Sequence, residues 1–125
     1  MAKVKGTGQD VMPRALRDAW CEALRSGDHT QTTGWLYDEQ DYAYCCLGVL
    51  QGPVLGFPVK GRYAPGNTFM YGPAADQAGL RRINTRTAFR DAPPDALQTQ
   101  LARLNDEVGF EEIADWIEVN VPVED

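Results

Sequence analysis

The first regular hydrophobic period lies in MPRALRDAWCEALRSG, where Met12, Leu16, Ala19, Trp20, Ala23 and Leu24 recur at helical spacing. Pro13 suits the first turn of a helix and Gly27 its end, so an amphipathic helix is expected between them. Its other face would carry Arg14, Arg17, Asp18, Glu22 and Arg25 into water. The pattern then changes. TQTTGWLYDEQDYAYC holds two short strand-like runs around the acidic turn Asp38 to Asp41, which reads as a β-hairpin. Trp35 and Tyr37 would share one face of the first strand, and Tyr42 and Tyr44 one face of the second, so that aromatic side chains pair across the hairpin. CCLGVLQGP has no period-2 polarity and predicts a short buried helix packed on the first, stopping at Gly52-Pro53, with Gly48 permitting close backbone approach.

From Gly52 to Gly72 the chain alternates Gly and Pro with single apolar residues, so a long irregular connection is expected. Two helices follow it further on. Pro94-Asp95 opens one with Leu97, Leu101 and Leu104 on a stripe, and Asn105-Asp106 closes it. After Gly109, FEEIADWIEVN starts another with Phe110, Ile113, Ala114 and Ile117 inward and Glu111 and Glu112 in its first turn, where the helix dipole favours them. The expected fold is a small single α+β domain, mainly helical, with a short antiparallel β-hairpin and a long irregular middle loop. The expected boundaries are a flexible tail over 1–10, a globular domain over 11–121 and an acidic tail over 122–125.

Composition fits that picture: 125 residues, 43% hydrophobic and 24% charged, suit one globular core. No apolar run reaches the roughly 20 residues that span a bilayer, and no apolar stretch follows the first basic residues, so a cytoplasmic location is expected and no membrane partner. The three cysteines, Cys21, Cys45 and Cys46, are expected as free thiols. The net charge of −6 is an end effect. Residues 1–104 hold 12 basic and 10 acidic residues, a balance of +2, whereas 105–125 hold 8 acidic and no basic ones, a balance of −8. A helix-turn-helix reader built from the last two helices would present Glu111, Glu112, Asp115 and Glu118 to phosphates, so no direct DNA binding is expected.

Candidate chemistry is sparse. Cys21, beside Trp20, reads as a small buried side chain. Cys46 near a helix N-terminus, with His29 as base, could form a nucleophilic pair, but no local signature accompanies it. Vicinal cysteines with Cys21 and His29 lack metal-site spacing, so no metal and no cofactor are expected. The middle loop carries Lys60, Arg62, Tyr63, Phe69 and Tyr71, which reads equally as a binding surface or as an excursion anchored by its aromatics. Arg81, Arg82, Arg86 and Arg90 concentrate positive charge suited to phosphate or carboxylate. The favoured partner for that patch is the chain's own acidic C-terminus; a phosphate-bearing ligand is the alternative. Asn105-Asp106 reads first as a cap and turn between helices.

The blocks WCEALRSGDHTQTTGWLYDEQDYAYCCLGVL and LARLNDEVGFEEIADWIE, in that order, resemble a widespread group of small proteins encoded by bacteriophages and prophages. The resemblance covers about residues 16–51 and 97–118. Its pattern falls here on Trp20, Gly27, Gln31, Leu36, Cys46, Leu47, Gly48, Leu50, Leu104, Asn105, Asp106, Phe110, Ile113 and Ala114. Gly109 is a departure, since the pattern has Ser before the Phe; loss of that N-cap hydroxyl costs about a few tenths of a kcal/mol relative to Gly. The resemblance implies a phage setting and a fold family, not a mechanism.

The sequence therefore predicts a non-catalytic binding protein acting in the host cytosol as a takeover or anti-defence accessory. It would dock a host protein through Glu111, Glu112, Asp115 and Glu118, or a small phosphate-bearing ligand through Arg62, Tyr63, Arg81, Arg82 and Arg86. The alternative is a small enzyme using Cys46 with His29, or Asn105 with Asp106.

Overall fold

The computed structural model describes residues 10–59 and 68–125. Residues 1–9 of the expected tail, and the candidate ligand residues Arg62 and Tyr63, lie outside the described residues. The chain forms a small α+β domain, mainly helical.

The first helix, α1 (Arg14–Arg25), follows a two-residue strand β1 (Met12–Pro13). Met12, Trp20, Cys21 and Leu24 are buried, as the periodicity requires, but Ala19 is exposed. A methyl group gains little by burial, so the helix is rotated by its large residues; a fully buried Leu or Met is worth roughly 1.5–3 kcal/mol. Gly27, at φ 80°, supplies the left-handed residue that ends the helix.

Strands β3 (Tyr37–Asp38) and β4 (Ala43–Tyr44) form the expected antiparallel hairpin, with Tyr37 opposite Tyr44. The turn is displaced by one residue. Asp38 is buried in the strand, and the loop is Glu39 to Tyr42. Tyr37 and Tyr44 pair as expected, with ring centroids 4.8 Å apart. Tyr42 does not join them: its φ of 52° breaks the strand alternation and leaves it 75% exposed. A third strand, β2 (Thr30–Gln31), lies parallel to β4 on its other side, giving the order β2-β4-β3.

Helix α2 (Cys46–Val49) is short and wholly buried, as expected. It does not stop at Gly52-Pro53 but continues as a π-helical turn over Leu50–Val54. Pro53 has no N–H for the α-helical ladder, and the wider spacing resumes with the Leu55 amide donating to the Leu50 carbonyl at 3.0 Å. Gly48 is required by contact: a Cβ there would lie 1.9 Å from the Leu36 carbonyl oxygen.

At the end of the expected irregular connection and the start of the basic stretch lies helix α3 (Gly72–Ala78), with Ala74, Ala75 and Ala78 buried. Gly79 closes it at φ 80°, and a Cβ on that glycine would meet the Val11 carbonyl at 2.0 Å. Helices α4 (Leu97–Asn105) and α5 (Phe110–Asn120) follow, α5 burying Phe110, Ile113, Ala114 and Ile117 as the pattern predicts. Helix α5 packs along α1, while α2 sits between α1 and α4, so one core is shared by all four.

Residues 122–125, read as an acidic tail, include strand β5 (Val123–Glu124), which pairs in parallel with β1. Asp10, assigned to the flexible tail, is also tied into the fold. Its carboxylate accepts from the Arg81 amide at 2.6 Å and from the Leu97 amide at 3.1 Å, capping α4 from a remote part of the chain.

Candidate functional site

Three groups of residues carry candidate chemistry: the motif residues, the arginines and the C-terminal acids. The motif residues come together. Asn105, 2% exposed at the end of α4, accepts through Oδ1 from the Cys46 amide at 3.0 Å and from Gln31 Nε2 at 3.2 Å. Its Nδ2 donates to the Thr32 carbonyl at 2.7 Å. The Gln31 amide group also donates to the carbonyls of Asn105 and Val108, at 3.1 and 2.9 Å.

These bonds satisfy groups that helix ends leave unpaired. Cys46 N–H is the first amide of α2, and Asn105 caps it. The Asn105 carbonyl ends α4, and Gln31 caps it. Trp20 Nε1 donates to the Cys46 carbonyl at 2.9 Å, so side chains from α1 and α4 hold the N–H and the C=O of one residue, in successive peptide units. Asp106 accepts from the Gly34 amide; partial burial first and Glu107 second push its carboxyl pKa up. With Gly27 ending α1, Gly48 admitting the Leu36 carbonyl and Phe110 opening α5 inside the core, these residues too have architectural work.

The thiols share that character. Cys45 and Cys46 are 5% and 0% exposed. Burial pushes the Cys45 thiol up to about 11 and Cys46 well above the ordinary thiol range, the opposite of an activated nucleophile. Cys46 Sγ donates to the Leu101 carbonyl at 3.6 Å and Cys21 Sγ to the Ala114 carbonyl at 3.6 Å. Cys45 Sγ instead accepts from the Gly48 amide at 3.4 Å. His29 stands edge-on to Tyr44, with centroids 5.7 Å apart. Among the described residues no group of three or more His, Cys, Asp or Glu is placed to hold a metal, and no helix is long and apolar enough to cross a membrane.

The arginines and acids pair differently from the expectation. Arg81 bonds Asp95 at 2.9 Å and Arg82 bonds Asp76 at 2.6 Å; neither reaches the C-terminus. Chain proximity decides, since both acids flank the arginines on α3 and at the entrance to α4. Arg86 lies in an exposed turn where its backbone amide bonds Asn84 Oδ1. The C-terminal acids are met by α1. Arg25 grips Glu118 through two bonds of 2.9 Å and Asp115 through one of 2.6 Å, and Arg14 pairs with Asp125. This contact holds the Glu118 carboxyl below the usual range.

What remains is the corner between α4 and α5. Asp106, Glu107, Glu111 and Glu112 are exposed within residues 106–112 and take part in none of the ion pairs among the described residues. A shallow depression along α1, edged by Glu118, is wide open to solvent and lacks the enclosure of a small-molecule site.

Neither a curated protein nor a solved structure matches the chain significantly. A family model described as a domain of unknown function, DUF8296, matches residues 12–53, about a third of the chain, from β1 through Pro53 of the π turn. That segment holds Trp20, Gly27, Gln31, Cys46 and Gly48; Asn105, the partner of Gln31 and Cys46, lies beyond it.

Proposed function

We propose that the chain is a phage-encoded, non-catalytic binding protein of the host cytosol, a takeover or anti-defence accessory that docks a basic surface of a host protein. The observation that carries this reading is the acidic corner. Of the C-terminal acids, Asp115, Glu118 and Asp125 are engaged by arginines of α1, whereas Asp106, Glu107, Glu111 and Glu112 are exposed and form no ion pair among the described residues. Unscreened carboxylates of one sign on a rigid helix–turn–helix corner speed encounter with a positive surface and fix its orientation. The phage setting rests on the motif resemblance.

The motif residues support the non-catalytic part, because Asn105, Gln31 and Cys46 spend their polar groups on one another. The alternative of a phosphate-bearing ligand draws less support, since Arg81 and Arg82 already hold carboxylates. The test is affinity capture of the tagged protein from host lysate at low and high salt, with mass spectrometry of captured proteins and of small molecules released on heating. The expected result is one host protein, lost at high salt. A released nucleotide would move the function to the arginines and overturn this reading.

A further inference from the structure

Residues 26–59 contain no lysine or arginine, yet they contain Asp28, Asp38, Glu39 and Asp41. The three-stranded sheet lies wholly inside this cation-free stretch. At its hairpin tip the buried Asp38 carboxylate accepts from the Gln40 amide at 3.0 Å, fixing the turn, and Glu39 and Asp41 are left exposed.

Tyr42 completes the loop in a conformation that its side chain disfavours. At φ 52° it occupies the left-handed region, where a non-glycine residue is strained, and its ring gains nothing from the core because the residue is 75% exposed. Neither stability nor packing accounts for a tyrosine here. Next to it in the hairpin, the rings of Tyr37 and Tyr44 pack against each other at a 42° tilt. The Tyr37 phenol has a raised pKa, through partial burial first and then through the proximity of Tyr44, Tyr42 and Glu39, which places these groups together.

Aromatic faces and carboxylates attract the same kind of group. A ring presents its negative quadrupole face to a cation, and a carboxylate its full charge. Arginine satisfies both, since its planar guanidinium stacks on a ring while its edge bonds a carboxylate. We propose that the hairpin tip, built from Tyr42 with Glu39 and Asp41, is a docking surface for an arginine-bearing segment of a partner protein. The inference rests on the binding reading only in requiring a protein partner, and it uses a surface distinct from the α4–α5 corner.

The probe is a capped tri-arginine peptide, titrated into the full chain and followed by amide and indole NMR shifts, with a tri-citrulline peptide as the neutral control. Saturable shifts at residues 38–44 are expected with arginine and not with citrulline, with the Trp35 indole, at the open end of the hairpin, as the reference signal. Tyr42→Gly removes the ring while suiting the left-handed backbone, so it should keep or raise the melting temperature and weaken peptide binding about tenfold or more. Tyr42→Asn, also tolerant of that backbone, is the second variant. Glu111→Gln with Glu112→Gln should leave the hairpin shifts intact, which separates this surface from the acidic corner. Absence of saturable shifts, shifts confined to residues 106–118, or wild-type binding by Tyr42→Gly would each overturn the proposal.

Discussion

Asn105→Ala is the substitution that most directly probes how the motif holds the domain together. Alanine deletes an acceptor used by the Cys46 amide and by Gln31, and the donor used by the Thr32 carbonyl. Gln31 keeps two other acceptors, the carbonyls of Asn105 and Val108, so its loss is small. The Cys46 amide and the Thr32 carbonyl lose the partner they have in Asn105, the former at a fully buried helix end. At about 1–3 kcal/mol for each group left unpaired, the cost is about 2–6 kcal/mol. Against a total of about 5–15 kcal/mol this is a large fraction of the fold's stability. Urea unfolding measures it as a lower midpoint at unchanged slope. Gln31→Ala should cost about 1 kcal/mol, since Gln31 is half-buried and water can refill its bonds, and the double variant should lose less than the sum because the two side chains share a bond. A loss below about 0.5 kcal/mol for Asn105→Ala would refute the clasp, since that is the range of ordinary surface changes.

Other consequences follow from single contacts. Gly48→Ala places a Cβ 1.9 Å from the Leu36 carbonyl, so the hairpin must separate from α2, and thermal unfolding should show a loss of about 3 kcal/mol or more. Gly109→Ser restores a side-chain cap at the N-cap of α5, where φ is −82° and a Cβ meets only Gln31 Oε1 at 3.8 Å; a gain of about a few tenths of a kcal/mol in urea is expected. Cys21 and Cys45 titrate near about 11 in the fold against an ordinary 9.0, so the unfolded chain releases these protons first. Stability is therefore fully present below about pH 9 and falls as pH rises from there to about 11, with Cys46, raised well above the ordinary range, adding to the loss; a flat pH profile across that window would contradict the burial of the thiols.

The parts of the fold legible in the sequence are those where large apolar residues repeat. Trp20 and Leu24 define the face of α1, and Phe110, Ile113 and Ile117 that of α5, because burying them outweighs every local preference. Helix α3 escaped because its buried face is made of alanines, whose hydrophobic contrast is weak, although Pro73 near its start and Gly79 at its end are boundary signals. The parallel pairs β1–β5 and β2–β4 are two residues long and join segments brought close by helix packing, so no local pattern announces them. Charge pairing was read in the wrong direction for the same reason. Composition shows that acids outnumber basic residues, 18 to 12, but only the packing of α1 on α5 puts Arg25 beside Asp115 and Glu118. The motif residues were legible as a set, whereas their role was not, since Gln31 and Asn105 meet across 74 positions.

The central claim, that unpaired carboxylates at the α4–α5 corner dock a basic partner, is tested most directly by calorimetric titration of the captured host protein against the wild type and against Glu111→Gln with Glu112→Gln, at two salt concentrations. The account predicts affinity weakened about tenfold or more in the variant, and a shallower salt dependence than in the wild type. Equal affinity and equal salt dependence for the two proteins would contradict it.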